Sequence, residues 1–388
     1  MSDQQRELLN FFYQSFSSDI ALLSDKNLDG SAISQVEPLI IYDLTGGPLF
    51  ADFEIADPRG VKVGAVRSSA LQKKLPLIDS ILIGNQWFDA PSAIEKAKQA
   101  ALAQNIGAII DAKIVCYGYP RMGALVTCQT STGPHSLLYD AAAGVLVKQW
   151  DGKYNPASEA GVPLPERPEG QPFYSILTEI PEAGPGVVTP SIHQWNRLES
   201  VFGKAKAGGF APLKFSLESL GQAGVRFAVR GALLPAVLYS QITEVYCAVA
   251  TAEMMLSFVG ISKKQNDIAA AMNTGPSGTT NPDFLHGMTI LSSGKVTGQF
   301  INLPGFADCV QVVEQMLPAK SGIPGHARLL RGWREYIFFD DSGTVLDKEQ
   351  FLIINDPYPT TSGQLVLENF TKPIDSFYTN LISMQKVK

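Results

Sequence analysis

Gln241-Ile-Thr-Glu-Val-Tyr-Cys247-Ala-Val-Ala-Thr-Ala-Glu-Met-Met-Leu-Ser-Phe-Val-Gly260 is the stretch from which the rest of the chain can be read. A glutamine stands six residues before a cysteine, and the cysteine opens a segment rich in alanine, methionine and leucine. Such residues favour a helix, with Cys247 in its first turn and Gly260 just past its end. Apart from Glu253 and a few small hydroxyls the segment is apolar on every side, which predicts a buried helix. A thiol at the start of that helix lies in the positive end of the helix dipole, a placement that lowers its pKa and favours thiolate. Six residues upstream leave enough chain to fold back and aim the Gln241 amide at the same point. A cysteine buried for packing would look the same in isolation, so the reading depends on partners elsewhere.

The Gln241-x5-Cys247 spacing resembles the catalytic segment of papain-like cysteine peptidases. It is most similar to the bacterial branch related to bacteriocin-processing peptidases, where the cysteine is followed by small residues, Met and a Gly-Ile ending. Here that ending reads Val259-Gly260-Ile261. The resemblance implies that the Gln241 side chain and the Cys247 backbone N–H form an oxyanion hole.

A nucleophilic cysteine needs a base, and the base needs a group to fix it. His286 and His326 follow Cys247. His326 ends the stretch Lys320-Ser-Gly-Ile-Pro-Gly-His and opens Ala327–Trp333, which reads as a strand; Gly325 lets a substrate backbone pass close. His286 falls in a polar, Gly-rich connection after Thr279-Thr-Asn-Pro282 and reads as a surface or loop-packing residue. Beyond His326, Arg334–Phe339 reads as a further strand, Asp340-Asp-Ser-Gly343 as a turn, and Phe351–Ile354 as a strand running into Asn355-Asp356-Pro357. Neighbouring strand residues point to opposite faces, so Asn355 and Asp356 cannot both serve the imidazole. The bacterial branch has an Asp in a stretch ending Asp-Pro, and the resemblance therefore selects Asp356. Gly275-Pro-Ser-Gly-Thr-Thr-Asn-Pro282 and Ser321-Gly-Ile-Pro-Gly-His326 also look like segments of that branch, so the likeness covers residues 235–360.

The resemblance implies an α+β fold for residues 191–388, a helical part holding Cys247 against an antiparallel sheet holding His326, with substrate in the cleft between. It implies a thiol-dependent peptidase acting through Cys247, His326, Asp356 and Gln241 on a protein or peptide substrate. The same triad supports acyl transfer, as in transglutaminase-like enzymes. A non-catalytic binding protein, whose first half does the work, is the other alternative.

The bulk properties fit an ordinary globular protein of two or three domains: 388 residues, 45% hydrophobic and 18% charged. A formal net charge of −6 argues against nucleic acid as a partner. No apolar run approaches the roughly 18 residues that span a membrane. The start, Met1-Ser-Asp-Gln-Gln-Arg-Glu, is polar and does not read as a secretory signal, so the expectation is a cytoplasmic protein, or a secreted one if a signal has been removed. Cys116, Cys128, Cys247 and Cys309 lack the spacing of a zinc site, and no cofactor is expected. Cys116 and Cys128 lie on neighbouring candidate strands and read as reduced, buried thiols.

The first half reads twice as one helix followed by antiparallel strands, over 1–75 and 76–150. Residues 2–24 form an amphipathic pattern, with Leu8, Phe12, Phe16, Ile20 and Leu23 on one stripe. Strands are expected at Pro38–Tyr42, Leu49–Ile55 and Val61–Val66. In the second of these Leu49, Ala51, Phe53 and Ile55 lie on one face and Asp52 and Glu54 on the other. A helix is expected from Pro91 to Gln104, capped by Asp89, with Ile94, Ala97, Ala101 and Leu102 on its buried side. Strands Lys113–Tyr119, Gly123–Gln129, Ser136–Asp140 and Val145–Trp150 follow. The layout, and a phrase such as Tyr42-Asp-Leu-Thr-Gly-Gly-Pro-Leu-Phe-Ala-Asp-Phe53, resembles cystatin or PepSY-type modules. Residues 151–190 hold eight prolines and read as a linker, with Phe173–Ile180 as one strand within it; a basic, Gly-containing patch follows at 202–210. Modules of this type often sit beside peptidases as propeptides or inhibitors, which implies an intramolecular contact between the first half and the cleft.

Overall fold

The computed structural model describes residues 13, 28, 30–42, 46–68, 79–84, 88–118, 120–147, 226–323, 325–339, 342–360, 362–370 and 380–386. The expected helix over 2–24, the linker 151–190 with its strand 173–180, and the basic patch 202–210 lie outside them. The described chain is α+β. Its first half runs β1 (Ala32–Ile33), β2 (Leu39–Tyr42), β3 (Pro48–Ala56), β4 (Lys62–Ser68), β5 (Ser80–Ile83), α1 (Ala90–Ala103), β6 (Ala108–Gly118), β7 (Arg121–Thr130) and β8 (Gly133–Asp140). The second half begins with β9 (Arg226–Leu233), α2 (Cys247–Phe258), α3 (Gln265–Ala271), α4 (Asn281–Leu291), β10 (Val296–Asn302) and α5 (Phe306–Glu314). It closes with β11 (Ala319–Ile323), β12 (His326–Phe339), β13 (Val345–Asp356), β14 (Gln364–Asn369) and β15 (Asn380–Lys386). Among the described residues no helix is long and apolar enough to cross a membrane.

All the described strands join one sheet, in the order β10-β15-β11-β12-β13-β14-β5-β4-β3-β2-β6-β7-β8, with β1 on β3 and β9 on β12. The pairings are antiparallel except for a single parallel contact between β2 and β6 at Tyr42 and Val115. The two halves meet where β14 pairs with β5, Leu365 opposite Ile83 and Leu367 opposite Ile81. One cluster of buried apolar residues also crosses that seam, from Ile41, Phe50 and Leu82 to Leu352, Ile354 and Val366. The expected units 1–75, 76–150 and 191–388 thus share a sheet and a core.

Local chemistry explains most of the elements. The Asp89 carboxylate accepts the Ser92 N–H at 3.1 Å and Pro91 stands in the first turn, so α1 starts where the cap predicts. The buried side of α1 is alanine: Ala90, Ala93, Ala97 and Ala101. Leu102, expected inside, is 60% exposed, because α1 lies on β6, β7 and β8 through its small side chains. In β3 Asp52, on the face opposite Ala51 and Phe53, is also buried, for Arg67 on β4 meets it with two hydrogen bonds of 2.7 and 2.8 Å. Of the strand expected at Val145–Trp150, a lone bridge from Leu146 to Tyr139 is present among the described residues.

The second half is organised by β12. Ala327–Trp333 and Arg334–Phe339, expected as two strands, are one, with a register shift between Leu330 and Gly332. Before the shift β12 pairs with β11; after it, the same edge pairs with β9. Arg331, at the shift, turns its guanidinium to the Leu234 carbonyl at 3.0 Å and to Asn355 Oδ1 at 3.1 Å. Helix α2 packs on β11 and β12 and against α3 and α4. Val249, Ala250, Ala252, Met254 and Leu256 are completely buried, which stabilises the α2 seat by about 1.5–3 kcal/mol for each large side chain. The helix ends as its sequence predicts: Gly260 has φ +81°, its N–H reaches the Ser257 carbonyl, and the Ile261 N–H reaches the Leu256 carbonyl.

Candidate active site

Cys247 is the first residue of α2. No side chain caps this helix, so its first-turn N–H groups face the thiol end without a built-in acceptor from the side chain of Tyr246. An uncapped helix start at a thiol favours negative charge there.

His326 is placed by a hairpin. β11 ends at Ile323, β12 begins at His326, and these two residues pair. Gly325 between them has φ +65°, a left-handed conformation that explains the glycine in front of the histidine. His326 Nε2 lies 2.7 Å from Asp356 Oδ1, and that oxygen also accepts the Tyr358 N–H at 2.9 Å. Cys247 hydrogen-bonds the same imidazole. Burial opposes charging the ring, but the Asp356 carboxylate and Cys247 outweigh it and push the His326 pKa up to about 9. Tyr358 stands edge-on to the ring, centroids 6.4 Å apart.

The structure therefore brings Cys247, His326 and Asp356 together. Asn355 goes elsewhere: it accepts from Arg331 and donates to the Ala236 carbonyl at 3.2 Å, fully buried. Gln241 is buried in the approach to Cys247. Its backbone N–H bonds the Pro357 carbonyl at 2.9 Å and its Nε2 donates to the Thr243 carbonyl at 2.8 Å. His286, expected in a loop, is exposed on helix α4, whose cap at Thr280 turns Asn281-Pro282-Asp283 into a first turn.

Two positions that the sequence did not single out, Gln265 and Arg121, and one it weighed only as a partner for the imidazole, Asn355, hold this arrangement. Gln265 on α3 grips the approach loop, its Oε1 accepting the Ile242 N–H at 3.0 Å and its Nε2 donating to the Ser240 carbonyl at 2.8 Å. Asn355 fastens the chain at Ala236, next to the Arg331 contact at Leu234. Arg121, on β7 of the first half, reaches the Glu244 carbonyl at 3.5 Å, between Gln241 and Cys247. Burial raises the Glu244 pKa, with Arg121, Asp140 and His326 acting on it as well. None of these residues stands at a readable spacing from Cys247, so periodicity carried no signal for them.

A small cleft opens beside the pair, with Cys247, His326, Asn281, Lys320 and Asn380 in its walls. Among the described residues no group of three or more His, Cys, Asp or Glu is arranged to hold a metal ion. All four cysteines are free thiols.

Residues 233–381 match the family model described as Peptidase_C39 like family. The protein is a cysteine-type peptidase. Its peptidase segment is the part that carries α2, β12 and β13. None of the curated proteins matches the chain. Among solved structures it is similar to a double glycine motif protease from an AMS/PCAT transporter, solved with the leader peptide, at 11% identity and TM-score 0.27 over 40% of this chain and 95% of that one. It is also similar to the peptidase domain of Streptococcus ComA, a bifunctional ABC transporter, at 15% identity and TM-score 0.28 over 39% of this chain and 98% of that one.

Proposed function

We propose that the peptidase hydrolyses peptide bonds with Cys247 as nucleophile, His326 as base and acid, Asp356 as the residue that orients His326, and Gln241 as an oxyanion donor. The observation that carries this is the single imidazole shared by Cys247 and Asp356, with Asp356 held on Nε2 at 2.7 Å. A ring whose pKa lies near 9 is protonated at neutral pH, which is the partner a thiolate needs. The thiolate attacks the carbonyl carbon, and the oxyanion is held by the Cys247 N–H and the Gln241 amide, each donor worth about 3 kcal/mol. His326 gives its proton to the leaving amine. The thioester is then attacked by water, whose proton returns to His326, and the thiolate is released.

The first half is the scaffold of this site in this reading. Its β7 touches the loop between Gln241 and Cys247 through Arg121, and β5 completes the sheet beside β14. The cleft walls among the described residues come from positions 247–380. This supports a supporting role for residues 1–150 over the inhibitory one.

The test compares the full chain with Cys247→Ala and Cys309→Ala on a mixed peptide library. Hydrolysis in the wild type and Cys309→Ala, and none in Cys247→Ala, is expected. Activity surviving in Cys247→Ala overturns the assignment. Product appearing only when an amine acceptor is added would replace hydrolysis by acyl transfer.

A further inference from the structure

Glu253 is the one charged residue of α2, the otherwise apolar helix that Cys247 opens. The mechanism above does not use it. Its Oε2 accepts a hydrogen bond of 2.8 Å from Nε2 of Gln265, the first residue of α3. The same Nε2 donates to the Ser240 carbonyl at 2.8 Å, and Gln265 Oε1 accepts the Ile242 N–H at 3.0 Å. Ser240 and Ile242 are the two neighbours of Gln241, so one buried amide holds the chain on both sides of that residue. A third bond fixes Gln241 from the end of β13: its own N–H donates to the carbonyl of Pro357, next to Asp356. The partners dictate which way the Gln265 amide points. Turned over, it would set its oxygen against the Glu253 carboxylate and the Ser240 carbonyl, and its N–H groups against the Ile242 N–H. The Gln241 side chain is itself buried, and the Thr243 carbonyl takes one of its Nε2 protons at 2.8 Å.

We infer that Gln265, held by Glu253, is the positioning residue of the oxyanion site: it sets the backbone at Gln241 and so the place of the amide that meets the oxyanion. The inference rests on the reading of Gln241 proposed above. A donor stabilises an oxyanion only if it already stands about 2.7–3.1 Å from where the charge will develop. An amide on the flexible stem of a glutamine is that precise only where its backbone is fixed by supporting hydrogen bonds. Gln265 supplies two of them, to the peptide groups flanking Gln241. Because Glu253 belongs to α2, the same side chain ties Gln241 to the helix that carries the thiol and the second donor, the Cys247 N–H. The hydrogen bonds of Gln265 go to Glu253, Ser240 and Ile242, not to the thiol or the imidazole. Its loss should therefore weaken the oxyanion site and leave the thiolate as it is.

The experiment compares two reactions of Cys247 in the full chain, each followed by mass mapping. Acylation by p-nitrophenyl acetate passes through a tetrahedral oxyanion: the thiolate bonds to the carbonyl carbon and p-nitrophenolate leaves. Alkylation by iodoacetamide displaces iodide from a saturated carbon and needs no oxyanion donor. The ratio of the two rates therefore reports the oxyanion site apart from the thiolate. Gln241→Ala should lower the ratio by about 10²-fold. Gln265→Met should lower it by about tenfold through misplacement of that amide, with alkylation close to the wild-type rate. Glu253→Leu should lower it several-fold, and Glu253→Gln, which keeps an acceptor for Gln265, should restore it. In the Gln241→Ala background Gln265→Met should change the ratio by less than about twofold, because the two residues act through one group. An unchanged ratio in Gln265→Met overturns the inference. So does an equal fall on both backgrounds, or a parallel fall in alkylation, either of which marks a merely structural role. A ratio that Gln241→Ala leaves unchanged removes the oxyanion assignment of Gln241 and the inference with it. A fall in Gln241→Ala without one in Gln265→Met removes the inference alone.

Discussion

His326 and Arg328 stand two residues apart on β12, and each meets a carboxylate from another strand. Arg328 forms two hydrogen bonds with Glu368 on β14, at 2.7 and 2.8 Å, with both side chains fully buried. His326 forms one with Asp356 at the end of β13, and 9% of its side chain remains exposed at the cleft. The first pair carries fixed charge, because a guanidinium does not titrate in the accessible range. The second can gain and lose a proton. The first half holds a pair of the fixed kind at Arg67 and Asp52. Buried charge among the described residues therefore takes two forms: guanidinium–carboxylate pairs that join strands, and an imidazole–carboxylate pair beside the Cys247 thiol.

The largest expected effect separates the two forms outright. His326→Ala should lower kcat/KM by about 10⁴-fold or more, with a loss of stability at neutral pH that stays within the roughly 3 kcal/mol its bound proton contributes. Arg328→Ala should keep its kinetics and lose stability alone: removing one partner of a buried pair costs about 3–5 kcal/mol. The melting curve and the kinetics of both variants, measured below the lower transition, check this. A stable but inactive Arg328→Ala would blur the distinction.

Next in size is the choice between neighbours. Asp356→Asn should lower kcat by roughly 10²-fold or more with little change in KM, because it misorients the base. Asn355→Ala should act through stability, at about 1–3 kcal/mol, since it strips an acceptor from buried Arg331. Kinetics and denaturant titration on both variants decide it; a larger kcat loss in Asn355→Ala would reverse the assignment.

The pH dependence is smaller and has a definite sign. His326 is raised from 6.5 to about 9 in the folded state, so the folded protein holds this proton more tightly than the unfolded chain. Its contribution to stability is complete below pH 6.5 and is lost as pH rises through 9, on the order of 3 kcal/mol in all. kcat/KM should fall over the same alkaline limb as the imidazolium disappears. His326→Gln should flatten the alkaline loss of stability. Urea titrations at pH 6, 7.5 and 9 measure it.

The smallest expected effect tests the reach of the first half. Arg121→Ala should reduce kcat a few-fold, the equivalent of about 0.5–1.5 kcal/mol for one hydrogen bond to the loop before Cys247. Steady-state kinetics on the full chain would show it. A rise in activity would instead favour an inhibitory first half.

Much of this was legible because it is local. The helix from Cys247, its end at Gly260, the Asp89 cap and the Gly325-His326 step are each set by neighbours in sequence. What escaped was what only long-range packing fixes. Strand β12 runs through Trp333-Arg334 because β13 pairs with it from Leu329 to Phe339 and β9 from Gly332 to Phe339, a fact no hydropathy pattern records. Asp52 is buried because Arg67 meets it. His286 fell on a helix because Thr280 caps it, although the glycines around it read as loop. The grip of Gln265 and Arg121 on the approach loop depends on side chains 23 and 123 residues away from the groups they bond.

In the proposed mechanism one shared imidazole makes Cys247 a thiolate. The rate of Cys247 alkylation by iodoacetamide between pH 5 and 9, followed by mass mapping in the full chain and in His326→Ala, tests that most directly. The wild type should keep most of its plateau rate at pH 6. His326→Ala should follow an ordinary thiol with a pKa near 8.5 and react about 10²-fold more slowly at pH 6. Superimposable pH profiles in the two proteins would contradict the pairing and with it the catalytic assignment.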